Sequence, residues 1–131
     1  MRITKDNING FIKGTSMDCY NMDITKIDYV PEGITHLDCS NNQLTKLPNL
    51  PESLKSLNCY DNKLTKLPNL SNNLKYLYCS DNELTELPKL PESLKYLYCV
   101  ANNLPYKITI NNIKEHNKLI RRKQILSRIC V

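Results

Sequence analysis

From residue 14 to about residue 106 the apolar positions fall into one frame that recurs every twenty residues. Leu54, Leu57, Cys59, Asn62 and Leu64 define it, and Leu74, Leu77, Cys79, Asn82 and Leu84 are its next copy. Ile34, Leu37, Cys39, Asn42 and Leu44 precede them; Leu94, Leu97, Cys99, Asn102 and Leu104 follow. A worn first copy runs through Gly14, Met17, Cys19, Met22 and Ile24. Within a copy, the segment His36–Ser40 alternates between two faces as a short strand does. Leu37 and Cys39 point inward, while His36, Asp38 and Ser40 point outward. Five copies therefore predict a solenoid with one short strand per repeat, stacked as a parallel sheet, and with Leu44, Leu47 and Leu50 closing the core behind it. Asn42, Asn62, Asn82 and Asn102 are predicted to form a buried ladder whose amides satisfy backbone groups of the turns.

The prolines decide what the back of each repeat is. Pro48 and Pro51, Pro68, and Pro88 and Pro91 lack an N–H and push the preceding residue toward extended geometry. Two prolines three apart do not fit a helix, so the back is predicted to be extended or polyproline-like. The ends depart from the frame. Residues 1–13 are expected to be a β-cap, a hairpin turning at Asn9-Gly10. Lys107 falls where Leu47, Leu67 and Leu87 stood, so the repeats stop near 106 and residues 107–131 are a C-terminal cap. There Tyr106–Ile110 reads as a short extended piece, and Asn112-Ile-Lys-Glu115 as a capping-box helix start. Ile113, Leu119, Ile120, Leu126, Ile129 and Cys130 occupy a broad arc of that helix, opposite Lys114, Lys118, Arg121 and Arg128. The arc is expected to lie across the last repeat as a lid, leaving His116 an ordinary surface residue. The 131 residues thus read as a single domain.

Composition narrows the core and the partners. The chain has no Trp, one Phe and one Ala, so its core is aliphatic, built of Leu, Ile and Cys. The net charge of +5 is uneven: residues 107–131 hold seven Lys and Arg against Glu115, which leaves residues 1–106 near −1. No run of eighteen apolar residues spans a membrane. Met1–Asp6 offers no apolar signal core, so an intracellular and cytoplasmic location is expected, and there the six cysteines stay reduced.

The frame LxxLxCxxNxL, with a Leu-Pro-x-Leu-Pro back, resembles the short repeats of bacterial secreted leucine-rich-repeat effectors and of giant-virus leucine-rich-repeat proteins. The resemblance covers residues 14 to about 106. It implies a solenoid of the α/β horseshoe class, a protein-binding role, and host-cell cytoplasm or a virion if the source is viral. Some bacterial effectors carry a ligase domain after their repeats; nothing in this sequence is long enough to be one, and that activity is not implied.

Several constellations could carry chemistry. Cys19, Cys39, Cys59, Cys79 and Cys99 form a column, but a column one residue wide gives none of the convergence that metal sites need. Strands about 4.8 Å apart bring such thiols close, yet parallel neighbours rarely reach disulfide geometry. They read as buried, reduced thiols, with Cys130 the more accessible one. His36 stands near Asp18 and Asp38, without a nucleophile or third ligand to complete a site. No phosphate-loop, nucleophile-elbow, zinc or calcium motif is present. These absences predict no enzyme, no metal, no cofactor and no small-molecule substrate.

The outward columns of the sheet are where binding is expected. One holds Ser16, His36, Ser56, Tyr76 and Tyr96; the next Asp18, Asp38, Asn58, Tyr78 and Tyr98; the third Tyr20, Ser40, Tyr60, Ser80 and Val100. Tyr60, Tyr76, Tyr78, Tyr96 and Tyr98 gather in the C-terminal half, and with His36, Asp38 and Asn58 they make the candidate surface for a protein partner. Strands favour tyrosine for packing alone, which is the competing account. A second surface is the basic patch of Lys114, Lys118, Arg121, Arg122, Lys123 and Arg128, which could meet nucleic acid or an anionic membrane. Without interleaved aromatics, it reads first as the solvated face of a capping helix. Self-association through an imperfectly capped end is the third possibility.

Overall fold

The computed structural model describes residues 1–129, and the twenty-residue frame is its architecture. Each repeat contributes one three-residue strand: β3 (Ser16–Asp18), β5 (His36–Asp38), β6 (Ser56–Asn58), β7 (Tyr76–Tyr78) and β8 (Tyr96–Tyr98). They pair in parallel with no slip in register, so Met17, Leu37, Leu57, Leu77 and Leu97 stand side by side. The identical spacing produces this register, because a one-residue shift would turn every leucine out to solvent. Between the strands the chain carries no helix, as the prolines require. Leu37, Leu57, Leu77, the five column cysteines, and the leucines at 44, 64 and 84 are buried.

The asparagine ladder forms and links repeat to repeat. Asn62 accepts the Leu44 N–H on Oδ1 at 2.9 Å and donates from Nδ2 to the carbonyls of Cys39 and Cys59. Asn82 and Asn102 do the same one and two repeats later, for Leu64 and Leu84. Just before each asparagine the backbone turns through the left-handed region, at Asn41, Asp61, Asp81 and Ala101. Asn and Asp tolerate that region; Ala101 departs from the pattern.

The N-terminal cap differs from the expected hairpin. Asn9-Gly10 lies inside a 3-10 turn, Ile8–Phe11, and does not reverse the chain between two strands. The reversal comes later, at Gly14-Thr15, between β2 (Ile12–Lys13) and β3, paired antiparallel. Gly14 has φ +64, which suits glycine at the first central position of a type II′ turn. β1 (Arg2–Ile3) instead pairs in parallel with β4 (Lys26–Ile27) behind the sheet, and Ile3 and Ile8 seal the first repeat.

At the other end a capping helix, α1 (Ile113–Ile129), is present. It begins directly after Asn112, as expected, but the capping contacts belong to a 3-10 turn (Ile110–Asn112) just before it: Asn112 Oδ1 accepts the Thr109 N–H at 2.9 Å, and the Asn112 N–H bonds back to the Thr109 carbonyl. Its buried face also differs from the expected arc. Ile113 and His116 are buried, whereas Leu119 and Leu126 are exposed, as is Ile125. The helix packs against Pro88–Leu90, the back of the fourth repeat. The Asn117 amide pairs both backbone groups of Leu90, at 2.8 Å each. That pairing explains the choice of face: polar side chains that could reach an unpaired back strand outweigh the apolar arc. As a result Leu90 is fully buried, where Leu50 and Leu70 are half-buried. Cys130 and the side chain of Ile129 lie outside the described residues.

His116 is likewise not a surface residue, being 2% exposed. Its Nε2 lies 2.9 Å from the Pro88 carbonyl and its Nδ1 2.7 Å from the Tyr106 hydroxyl. A carbonyl only accepts, so Nε2 carries a proton; in the neutral ring the Tyr106 hydroxyl donates to Nδ1. Lone histidines on a helix mislead sequence reading here because their partners sit ten and twenty-eight residues away in the chain.

Candidate interaction surface

The solvent face of the sheet is built from residues one and three of each strand. In the first three repeats, the third position does local work. Asp18, Asp38 and Asn58 accept on Oδ1 the N–H of the residue two further on, at 3.0–3.1 Å. These are Asx-type turns that close the strand end. Asp38 also takes the Ser40 hydroxyl, so its carboxylate is occupied within its own turn. Tyr78 and Tyr98 hold the equivalent positions in the last two repeats and cannot make that bond.

What replaces it is stacking. Tyr76 and Tyr96 lie with ring centroids 5.3 Å apart and planes 10° from parallel, and Tyr78 and Tyr98 at 5.2 Å and 9°. Four rings thus form two offset stacks across neighbouring strands, the geometry that aromatic pairs favour. Tyr96 remains 50% and Tyr98 51% exposed. Tyr60 is exposed on the next column, and a depression of about 400 Å³ opens between Tyr60, Tyr78, Tyr98 and Val100, floored by Asn58 and Ser80. The third column is therefore not uniformly outward: Ser40 and Ser80 are buried between larger neighbours, in contrast to their expected placement. The five tyrosines do come together, and His36 and Asp38 lie apart from them on the earlier strands.

His36 does not join the aspartates. Its Nδ1 lies 2.9 Å from Thr35 Oγ1, and the register sets it beside Ser16 and Ser56. Among the described residues, no three His, Cys, Asp or Glu side chains group to hold a metal. Cys19, Cys39, Cys59, Cys79 and Cys99 are free and buried. Burial pushes the Cys19 thiol up to about 12, and those of Cys39 and Cys59 well above their ordinary value. A protonated thiol is a poor nucleophile and metal ligand, so this column packs the core.

The basic patch is solvent-exposed along α1, where Lys114, Lys118, Arg121, Arg122, Lys123 and Arg128 share the outer surface with Leu119, Ile125 and Leu126. Lys114, Lys118 and Arg121 face Lys89 and Glu92 across a cleft of about 500 Å³ between the helix and the fourth repeat. Among the described residues, no helix is long and apolar enough to cross a membrane.

Comparison with known proteins agrees with the architecture. The "Leucine Rich Repeat" family model matches residues 33–54 and 73–97. Among solved structures, YopM from Yersinia enterocolitica WA-314 superposes with a TM-score of 0.60 at 37% identity, over 64% of this chain. The chain carries leucine-rich repeats. The matched region is 19% of the YopM chain, so this chain spans about a fifth of that length. Its repeats are similar to those of a bacterial effector, and the bacterial side of the sequence resemblance is the one with a structural counterpart. Comparison with curated proteins finds no match. Leucine-rich repeats supply an extended sheet face suited to macromolecular contacts, and the tyrosine stacks occupy that face here.

Proposed function

We propose that this chain is an interaction module that docks a protein partner on its sheet face, centred on Tyr60, Tyr76, Tyr78, Tyr96 and Tyr98. One observation carries the reading. Tyr78 and Tyr98 stand where earlier repeats place a turn-closing Asp or Asn, and the outer ring of each stack, Tyr96 or Tyr98, stays half open to solvent. Sheet packing alone would favour rings covered on both sides. Half-exposed, mutually stacked rings are already ordered, so a partner immobilises them at little entropic cost. Tyrosine is also enriched at the centres of protein interfaces. His36, Asp38 and Asn58 would form the polar margin of the same surface. The role needs no catalytic group, cofactor or metal.

The test is capture of partners by the wild-type chain and by the Tyr96→Ala/Tyr98→Ala variant, with a charge-reversed helix variant (Arg121→Glu/Arg122→Glu) as control. A partner lost with the tyrosines and kept with the helix change supports the sheet face. Unchanged capture by a folded tyrosine variant would overturn it. A second reading has its own observation: Leu119, Ile125 and Leu126 lie uncovered among the cations of α1, an arrangement that suits an anionic lipid surface. Salt-sensitive retention on anionic vesicles, abolished by the helix change and kept by the tyrosine variant, would favour that reading.

A further inference from the structure

The sheet ends on an uncovered edge. Cys19, Cys39, Cys59 and Cys79 each donate their N–H to a carbonyl of the following repeat, at 2.8–2.9 Å; among the described residues Cys99 has no such acceptor. β8 bonds to β7 through Tyr96 and Tyr98, since the Tyr96 N–H reaches the Lys75 carbonyl and the Tyr98 carbonyl takes the Cys79 N–H. Groups alternate along a strand, so the N–H and C=O of Leu97 and the N–H of Cys99 point away from the sheet. The Lys95 carbonyl does too, because its equivalent, Lys75, accepts from the next repeat.

This edge lacks the usual protection. Lys95 at its start is the single charge of this edge; Tyr96-Leu97-Tyr98-Cys99-Val100 holds no charge, no proline and no bulge, the devices by which edges avoid pairing. Leu97 is half-buried where Leu37, Leu57 and Leu77 are fully buried. Beside it lies a cavity of about 320 Å³, walled by Leu97, Val100, Leu104, Tyr106 and Ile108. The opposite edge is different: β2 has two residues, one of them the exposed Lys13.

We propose that β8 pairs with β8 of a second copy of this chain, antiparallel about a two-fold axis at Leu97. The edge is complementary to itself in that arrangement. Leu97 exchanges both backbone bonds with the second copy's Leu97, and each Cys99 N–H meets the other copy's Lys95 carbonyl. Four hydrogen bonds form, and all of the outward groups named above are satisfied. The two Leu97 side chains meet on the core side, closing the cavity wall. On the other face, Tyr96 comes opposite the second copy's Tyr98, so the two tyrosine stacks run unbroken from one copy into the next. Parallel pairing of two identical edges cannot use the same outward groups on both strands. Pairing to β2 finds only two residues, so the assembly closes at two chains and does not grow into a fibre. This inference concerns the backbone edge of β8 and the partner-binding reading the sheet face, although Tyr96 and Tyr98 belong to both; crosslinking reads the edge alone.

Sedimentation of the full chain should give twice the monomer mass of 15.2 kDa. The register is read by cysteine crosslinking with Tyr96→Cys and Tyr98→Cys variants, each checked for native circular dichroism. Positions 96 and 98 of opposite copies form a non-hydrogen-bonded pair, with Cα atoms about 4.5 Å apart, within disulfide reach. Under mild oxidation a mixture of the two variants should give a covalent dimer, and either variant alone far less. A monomer at every concentration overturns the proposal. So does a dimer in which Tyr96→Cys alone crosslinks as readily as the mixture, or a species that lengthens with concentration.

Discussion

The asparagines show how much a single side chain can hold in a repeat this short. Asn62 is buried, and its amide serves the Leu44 N–H and the carbonyls of Cys39 and Cys59; in Asn62→Ala the Leu44 N–H loses its partner, while the two carbonyls keep theirs from Asn42 and Asn82. A buried polar group left unpaired costs about 1–3 kcal/mol, so Asn62→Ala should destabilise by roughly that amount. Asn102 makes the same bonds at a wetter position, where water can substitute. Its alanine variant should lose about half as much, and urea unfolding of the two variants compares them directly. Equal losses would mean that the ladder contributes by shape and not by hydrogen bonding. At this scale the sequence is readable, because Asn at a fixed place in four of the five copies has one physical explanation. Ser40 and Ser80 were not readable: alternation puts them outside, and only the bulk of Tyr20, Tyr60 and Val100 beside them buries them.

Among the elements, strands were more legible than caps. Each strand repeats in register, so a motif seen once is confirmed four times along the chain. α1 occurs once, and its apolar residues at 119, 125 and 126 compete with Asn117 and His116 for the inner face. An apolar side chain left exposed forgoes part of its transfer energy, but an unpaired buried N–H and C=O would cost more. Asn117→Ala removes both bonds to Leu90 and should detach the helix more than it unfolds the sheet. Hydrogen exchange is expected to accelerate along α1 and at Leu90, with β5 to β7 unchanged. Uniform acceleration through the solenoid would show that the cap and the repeats unfold as one unit. The N-terminal cap departs from its local sequence signal for a related reason. Asn9-Gly10 is a strong hairpin signal in isolation, but Gly14 sits where the antiparallel return can meet β3, and the parallel pairing of Arg2–Ile3 with Lys26–Ile27 takes the rest of the cap behind the sheet.

For the whole molecule, the cysteine column links packing to pH. Burial raises the thiol of Cys19 to about 12, and lifts those of Cys39 and Cys59 well above their ordinary value. A raised thiol pKa means that the folded chain keeps protons which the unfolded chain gives up. Below about pH 9 both states are protonated and there is no effect; above it, unfolding releases protons and stability falls as pH climbs toward 12. Each such thiol contributes up to roughly 1.4 kcal/mol per pH unit in that window. The Cys39→Ala/Cys59→Ala variant, though less stable at neutral pH, should therefore lose stability more gently between pH 9 and 11, as followed by thermal melts. A parallel decline would show that the buried thiols do not carry the alkaline loss. The ladder of asparagines has one more consequence, which concerns time. Every amide reaches backward, so the turn of one repeat is clasped by a residue about twenty positions downstream. A chain leaving the ribosome from its N-terminus would therefore fasten each coil only after the following one has emerged, and folding should trail synthesis by a single repeat.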